Sequence, residues 1–415
     1  MSEPHSTSTP SPRSADAQEL MRNQDWDALI ETLPRLPDSL DAASAPAADA
    51  ISFALTQRDR HLEAAALLER VYAVAPTDRR ASSMAYVLYA AAMRLFGPSA
   101  RRTIDDGHPH FGVEDRERVR DGFRSWIAEA LRRQPDSIKD LYRLGMFHAQ
   151  IESCKDVPAL RAFLGAVERY QALSATERER RHDLRKYYVR SLYAGARSAL
   201  RLGRAQLARK LVYQCVREDE GRDHVARAHK LGLAGKACLE LGELDTAERA
   251  FRLALDAAER GRADYLFGYL ARVELARGAP AAAAKWIEAH TRPERRSSAL
   301  HRLLGDARRA AGDLDGAVAS YEAALRNDRM GKHLTFTALG ETHLAAGRPK
   351  AAERAFDKAL AFRRRRYQSE HPPAVAGLAA AREARGHDAD ADATRTGLAR
   401  ALPRERPAPG EEAAS

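Results

Sequence analysis

The feature that most constrains this chain is a self-similarity that returns about every 34 residues. The segments CLELGELDTAERAFRLALD around Gly242, RRAAGDLDGAVASYEAALR around Gly312 and HLAAGRPKAAERAFDKALA around Gly347 are versions of one pattern. Each carries a glycine, then an alanine, an aromatic residue and a second alanine at fixed offsets: Gly242, Ala247, Phe251, Ala254; Gly312, Ala317, Tyr321, Ala324; Gly347, Ala352, Phe356, Ala359. A second glycine, Gly235, Gly305 or Gly340, precedes each turn glycine by seven residues. Weaker copies turn at Gly203, with Ala208, and at Gly278, with Ala283, so that successive turn glycines are 39, 36, 34 and 35 residues apart.

The spacing has a direct physical reading. Glycine ends a first helix, because it adopts the left-handed cap conformation at little cost, and the following residues open a second helix. The aromatic residue and the alanines recur at helical spacing and lie on one stripe of that second helix. Small residues on the first helix let the two approach closely. One such pair cannot bury both of its faces, so pairs must stack on their neighbours. Alanine, leucine, arginine and glutamate dominate the chain while β-branched and aromatic residues are scarce, which favours an all-α protein. With 44% apolar and 30% charged residues, the core is thin and surrounded by charge.

The pattern resembles the tetratricopeptide repeat (TPR). The likeness implies an all-α helix-turn-helix repeat solenoid, a TPR-like right-handed superhelix, and is strong over roughly Arg185 to Arg400. The chain departs from that family in lacking the first-helix tryptophan and most of the terminal prolines. Upstream the match continues in fragments. A first helix lies around Leu144 and Gly145, an enlarged turn contains Lys155 to Pro158, and Ala159, Phe163 and Ala166 reproduce the second-helix stripe. Pro76 and Pro135 sit where repeats end, so the stack is expected to begin near Ala48 or earlier. These readings divide the chain into a disordered leader at 1–14, divergent helical repeats at 15–134 with a loop near 97–113, a repeat array at 135–400 and a disordered tail at 401–415. Near the end, His371-Pro372 and the following helix resemble the longer repeat variant of kinesin light chain, expected here to cap the stack.

The start of the chain lacks an apolar core behind a basic end, and no stretch approaches a membrane span, the best candidate near Ala90 being broken by Arg94. Cys154, Cys215 and Cys238 lack the paired spacing of a metal site, and a reducing, cytoplasmic setting suits them. No phosphate-binding glycine loop, HExxH, CxxC or nucleophile elbow occurs. Two constellations invite chemistry. The loop residues Asp105, Asp106, His108, His110, Glu114 and Asp115 are suitable ligand types for a divalent ion, but no helix fixes two of them on one face. Cys154 with His148 is the one thiol and imidazole pair within a repeat, and a buried cysteine at a repeat boundary is the simpler reading. The expectation is therefore a non-enzyme with no cofactor and no metal.

What the repeat does predict is a binding face. The resemblance implies that first helices line a concave surface, and positions 13, 10, 6 and 3 before each turn glycine share one side of that helix. These are Arg190, Tyr193, Arg197 and Leu200; His229, Gly232, Lys236 and Leu239; Tyr265, Gly268, Arg272 and Leu275; and Ala299, Arg302, Asp306 and Arg309. Six of the sixteen are Lys or Arg, about twice the share in the whole chain, whose net charge is +10. The next repeat offers Leu334, Thr337, Glu341 and Leu344, so positive charge is expected to fade toward the C-terminus. The expected site comprises Arg190, Tyr193, Arg197, His229, Lys236, Tyr265, Arg272, Arg302 and Arg309. Its expected role is a protein-interaction scaffold or adaptor holding an acidic or carboxylate-bearing segment of a partner protein. RNA binding and a regulatory subunit of an enzyme complex are the alternatives. A peptide clamp needs a few fixed charges, whereas RNA needs a continuous track with stacking aromatics.

Overall fold

Residues 14–97, 114–152, 155–259, 263–386 and 388–401 are the described part of the computed structural model, and they contain helices and no strand. None of the helices is long and apolar enough to cross a membrane. The chain divides into two compact units, Met1–Ala237 and Cys238–Ser415.

The first unit opens with α1 (Ser14–Asn23) and α2 (Trp26–Glu31), followed by α3 (Ala45–Gln57) and α4 (His61–Val74). Then come α5 (Asp78–Phe96) with α6 (Asp115–Arg133), and α7 (Ile138–Gln150) with α8 (Asp156–Ala172). A short α9 (Ala175–Arg180), held by a capping box between Ser174 and Glu177, leads to α10 (Arg185–Arg201) and α11 (Ala205–Glu218). The division between units falls inside α12 (Arg227–Glu240). The second unit continues with α13 (Leu244–Asp256), then the pairs α14 (Asp264–Ala276) and α15 (Pro280–His290), α16 (Ser298–Ala310) and α17 (Leu314–Asn327), α18 (Lys332–Ala345) and α19 (Pro349–Tyr367), and α20 (Pro372–Glu383) and α21 (Asp388–Ala401). His371 stands at the N-cap of α20, with Pro372 in its first turn. This is a TPR-like stack of helix-turn-helix repeats within each unit.

The predicted turns form as glycine chemistry requires. Gly203, Gly242, Gly278, Gly312 and Gly347 have φ between +68° and +85°. At Gly312 the glycine N–H donates to the Arg309 carbonyl (3.1 Å) and the Asp313 N–H to the Arg308 carbonyl (2.9 Å), and the other four repeat that double bond. This Schellman closure satisfies the last carbonyls of each first helix. Gly386 turns in the same conformation. Upstream, the left-handed position passes to other residues: Gln24 (φ 56°) between α1 and α2, and Asp59 (φ 59°) between α3 and α4. The Arg60 N–H reaches the Leu55 carbonyl at 2.9 Å there, closing the same motif.

The aromatic of the second helix fills the space that a side chain would occupy on the first. A Cβ on Gly305 would come 2.6 Å from the Tyr321 ring, one on Gly340 2.7 Å from the Phe356 ring, and one on Gly145 2.5 Å from the Phe163 ring. Those distances exclude any larger residue without a shift of the ring. Successive repeats are also linked at the turn edge. Arg58 and Arg277, each just before a left-handed turn position, reach Asp27 (2.5 Å) and Asp245 (2.6 Å) in the first turn of the preceding second helix. Arg348, just after Gly347, reaches Asp315 in the first turn of the preceding second helix, and Arg385, just before Gly386, reaches Glu353 one turn further along the second helix before it.

Candidate functional site

In the first unit, Arg190, Tyr193 and Arg197 stand on α10. Arg190 and Arg197 are exposed and Tyr193 is half-buried, with the Arg197 guanidinium 6.0 Å from its ring. Arg190 has a weak bond from Nε to the His224 carbonyl, 3.4 Å. On α12, His229 is exposed and Lys236 half-buried, while Gly232 between them is buried, so the stripe is partly a packing face.

The sequence reading missed much of what flanks Arg190. Tyr142 on α7 meets Tyr187 edge to face at 5.6 Å. Tyr89 on α5 lies in the same neighbourhood; burial above all, then Tyr142, pushes its hydroxyl pKa up against the pull of Arg143 and Arg190. Arg143 lies over Tyr86 at 4.9 Å, and its Nη1 donates to Asp140 (2.6 Å) and to the Ser82 carbonyl (3.0 Å), joining α7 to α5. The signal was present in the sequence: counting from Gly145 with the downstream register gives Lys139, Tyr142, Met146 and Ala149, the face on which Tyr142 is found.

In the second unit the stripe converges. Asp306 on α16 accepts a 2.7 Å bond from the Tyr321 hydroxyl. Burial raises its carboxyl pKa, opposed by Tyr321 and by the fields of Arg309, Arg302 and Arg272, so three of the predicted cations act on one carboxylate. They are not equivalent. Arg309 is spent on Glu341 of α18, 2.5 Å away. Arg272 is exposed and lies 5.6 Å from the Tyr269 ring. Arg302 is half-buried and has no hydrogen-bond partner among the described residues. Tyr265 is exposed, whereas a Cβ on Gly268 would press on Leu300 at 3.2 Å, so this position, like Gly232, faces the next helix. On α18, Leu334 is exposed and Thr337 buried, and Glu341 is the carboxylate that holds Arg309.

The chemical candidates fare differently. Asp105, Asp106, His108, His110 and Cys154 lie outside the described residues; Glu114 and Asp115 stand at the start of α6. His148 Nδ1 is 2.6 Å from Glu152, which Arg124 also grips at 2.5 Å, so this imidazole belongs to an ion network between α6 and α7. Cys215 and Cys238 are buried, and burial pushes the Cys215 thiol up to about 12, which suppresses its thiolate at neutral pH. Among the described residues no group of three or more His, Cys, Asp or Glu is placed to hold a metal ion.

No family model and no curated protein matches the chain. Among solved structures, a TPR protein from Parabacteroides merdae is 13% identical, covering 77% of this chain and 99% of its own, with a TM-score of 0.44. The C-terminal part of a TPR repeat-containing protein from Cytophaga hutchinsonii is 15% identical over 64% of this chain and 96% of its own, with a TM-score of 0.42. Pseudomonas aeruginosa pilF is 14% identical over 56% of this chain and 93% of its own, with a TM-score of 0.40. The repeat assignment stands on the turns and helix pairs of this chain itself.

Proposed function

We propose that this chain is a non-catalytic protein-interaction scaffold, and that the first-helix face of its second unit holds an acidic or carboxylate-bearing segment of a partner protein. The observation that carries the reading is the pair Arg272 and Arg302. The fields of two guanidinium groups from consecutive first helices act on one half-buried carboxylate, and neither has a carboxylate of its own to bond. A half-buried guanidinium without a hydrogen-bond acceptor leaves several donors unspent, and an incoming carboxylate satisfies them with paired, directional bonds. Exposed Tyr265 and Leu334 supply apolar contact on the same run of first helices. In the first unit, Arg190, Tyr193 and Arg197 supply a comparable set of exposed cations beside an aromatic ring.

The test uses a fluorescein-labelled peptide rich in Asp, Glu and Leu with a free C-terminal carboxylate. Arg272→Glu with Arg302→Glu is expected to weaken binding at least about tenfold, in line with truncating buried charged contacts. Arg249→Glu, on the outer second helix, is the control expected to leave it unchanged. Arg252 is unsuitable for that purpose, because it is bonded to Glu248 and lies 5.1 Å from the Trp286 ring. Equal losses from both sets, or no binding by the parent protein, removes the assignment.

A further inference from the structure

Charge in the second unit is divided between two edges. At the turn edge, the arginines beside the glycine turns are bonded to carboxylates: Arg277 to Asp245, Arg308 to Glu288, Arg348 to Asp315, and Arg382 and Arg385 to Glu353. The opposite edge, where one helix pair is joined to the next, is different. The joint at 291–297 carries three arginines against Glu294, residues 326–332 carry three cations against Asp328, and the end of α19 carries the run Arg363 to Arg366 against Glu370.

Two of the three carboxylates there are already committed, and the third, Glu294, stands exposed on the first joint. Asp328 accepts the N–H groups of Met330 (2.9 Å) and Gly331 (2.7 Å), and Glu370 bonds Arg364 at 2.9 Å. Arg296 and Arg363 turn inward, the first onto Thr291 and the second onto Ser369, beside His333 and over the Tyr367 ring at 4.8 Å. What remains is Arg292, Arg295, Arg326, Arg329, Arg365 and Arg366, all exposed and none bonded to a carboxylate among the described residues. The joints adjoin one another. Arg366 touches the Met330 sulfur at 3.4 Å and the Tyr367 hydroxyl donates to the Met330 carbonyl at 2.8 Å, tying the third joint to the second. Burial, then Arg296 of the first joint and Arg326 of the second, hold the His301 imidazole below its ordinary pKa, so those two joints act on one group. In the first unit the joint at 219–223 is by contrast mixed, with Asp219, Glu220 and Asp223 around Arg222.

We infer that this joint edge of the second unit is a binding surface for the phosphate backbone of single-stranded nucleic acid. A row of unpaired cations across three successive joints fits a linear polyanion, because each phosphate met releases a condensed counterion. All six exposed cations are arginines, whose planar guanidinium meets phosphate oxygens in pairs and stacks on bases. Met330 and Tyr367, 46% and 37% exposed, lie beside them and give unstacked bases an apolar platform. These residues are separate from those of the acidic-peptide face, so the two assignments stand or fall independently.

The experiment is a titration of fluorescein-labelled oligouridylate with the full-length protein over a range of salt. The parent protein is expected to bind at low salt with a steep log–log salt dependence. The quadruple variant Arg295→Glu, Arg329→Glu, Arg365→Glu and Arg366→Glu is expected to lose at least about tenfold in affinity, and the slope to fall by roughly 3, since each single-strand phosphate contact contributes about 0.7. The same four positions changed to Gln, followed by circular dichroism and melting, give a second set free of introduced repulsion and must show the same direction. Arg272→Glu with Arg302→Glu must leave oligouridylate binding in place. Unchanged affinity in both edge sets overturns the assignment. So does failure of the parent protein to bind, or binding to phosphatidylserine vesicles without binding to the oligonucleotide.

Discussion

At the scale of single residues, backbone handedness and small-residue clearances decide what each repeat tolerates. Gln24 holds a left-handed conformation with its side chain exposed, at a position where later turns use glycine. Gln24→Gly is therefore expected to raise stability by about 1 kcal/mol, readable in the melting of the first unit. Overpacking runs the other way. Ala247 and Ala317 are fully buried, so Ala247→Trp or Ala317→Trp is expected to cost about 1 to 3 kcal/mol, and Gly305→Ala a similar amount because the Tyr321 ring must move. A buried ion pair gives a pH test. Asp219 accepts Lys230 at 2.7 Å with both side chains almost fully enclosed, and although burial opposes ionisation, Lys230 and the N–H groups of Val225 and His224 hold its pKa below the ordinary value. Its contribution is present above the unfolded carboxylate pKa of about 3.9 and is lost as pH falls through the lowered folded value. Lys230→Met strands the carboxylate and is expected to cost about 3 to 5 kcal/mol at neutral pH. Thermal melts should show that gap closing below about pH 4; a gap independent of pH would contradict the assignment.

At the scale of helices, legibility followed the turn chemistry. The pairs from α10 onward were readable because glycine marks each left-handed turn and, in three of them, Phe251, Tyr321 or Phe356 marks the second helix. The pairs α1–α2 and α3–α4 were not resolved by that pattern, since Gln24 and Asp59 occupy the same backbone state without the same letter. The first-helix stripe was legible as a helical face, but not which of its members are spent. Arg309 is bonded to Glu341 one repeat later, and Gly232 and Gly268 are buried, relations that depend on neighbours about 34 residues away. The joint edge escaped notice because its cations are gathered from three segments, and the expected fading of charge concerned the first-helix stripe alone. The turn-edge bonds predict a graded effect. Arg277 touches Asp245, Glu248 and Glu274, so Arg277→Ala leaves three carboxylates together and is expected to cost about 1 kcal/mol, less at high salt, whereas Arg58→Ala removes a single exposed pair and should cost less.

At the scale of the whole molecule, helix pairs that bury their faces only against neighbours unfold by segments, so one two-state transition is not expected. The indole reporters are unevenly placed: Trp26 and Trp126 belong to the first unit and Trp286 to the second. In a Trp286→Phe variant, indole fluorescence follows the first unit alone while circular dichroism follows all helices, and the two urea curves are expected to separate; coincident curves would show a single cooperative unit. The far-ultraviolet spectrum itself is expected to be that of helix without sheet. The division of charge in the second unit has a practical consequence in the way the protein meets a charged solid. A sulfonate resin will grip it by the joints between pairs and leave the turns facing the buffer, so elution is governed by where the arginines stand more than by how many there are. Two variants of equal net charge, one reversed at Arg295, Arg329, Arg365 and Arg366 and one reversed at four scattered surface arginines, should leave such a column at clearly different salt concentrations, the first much the earlier.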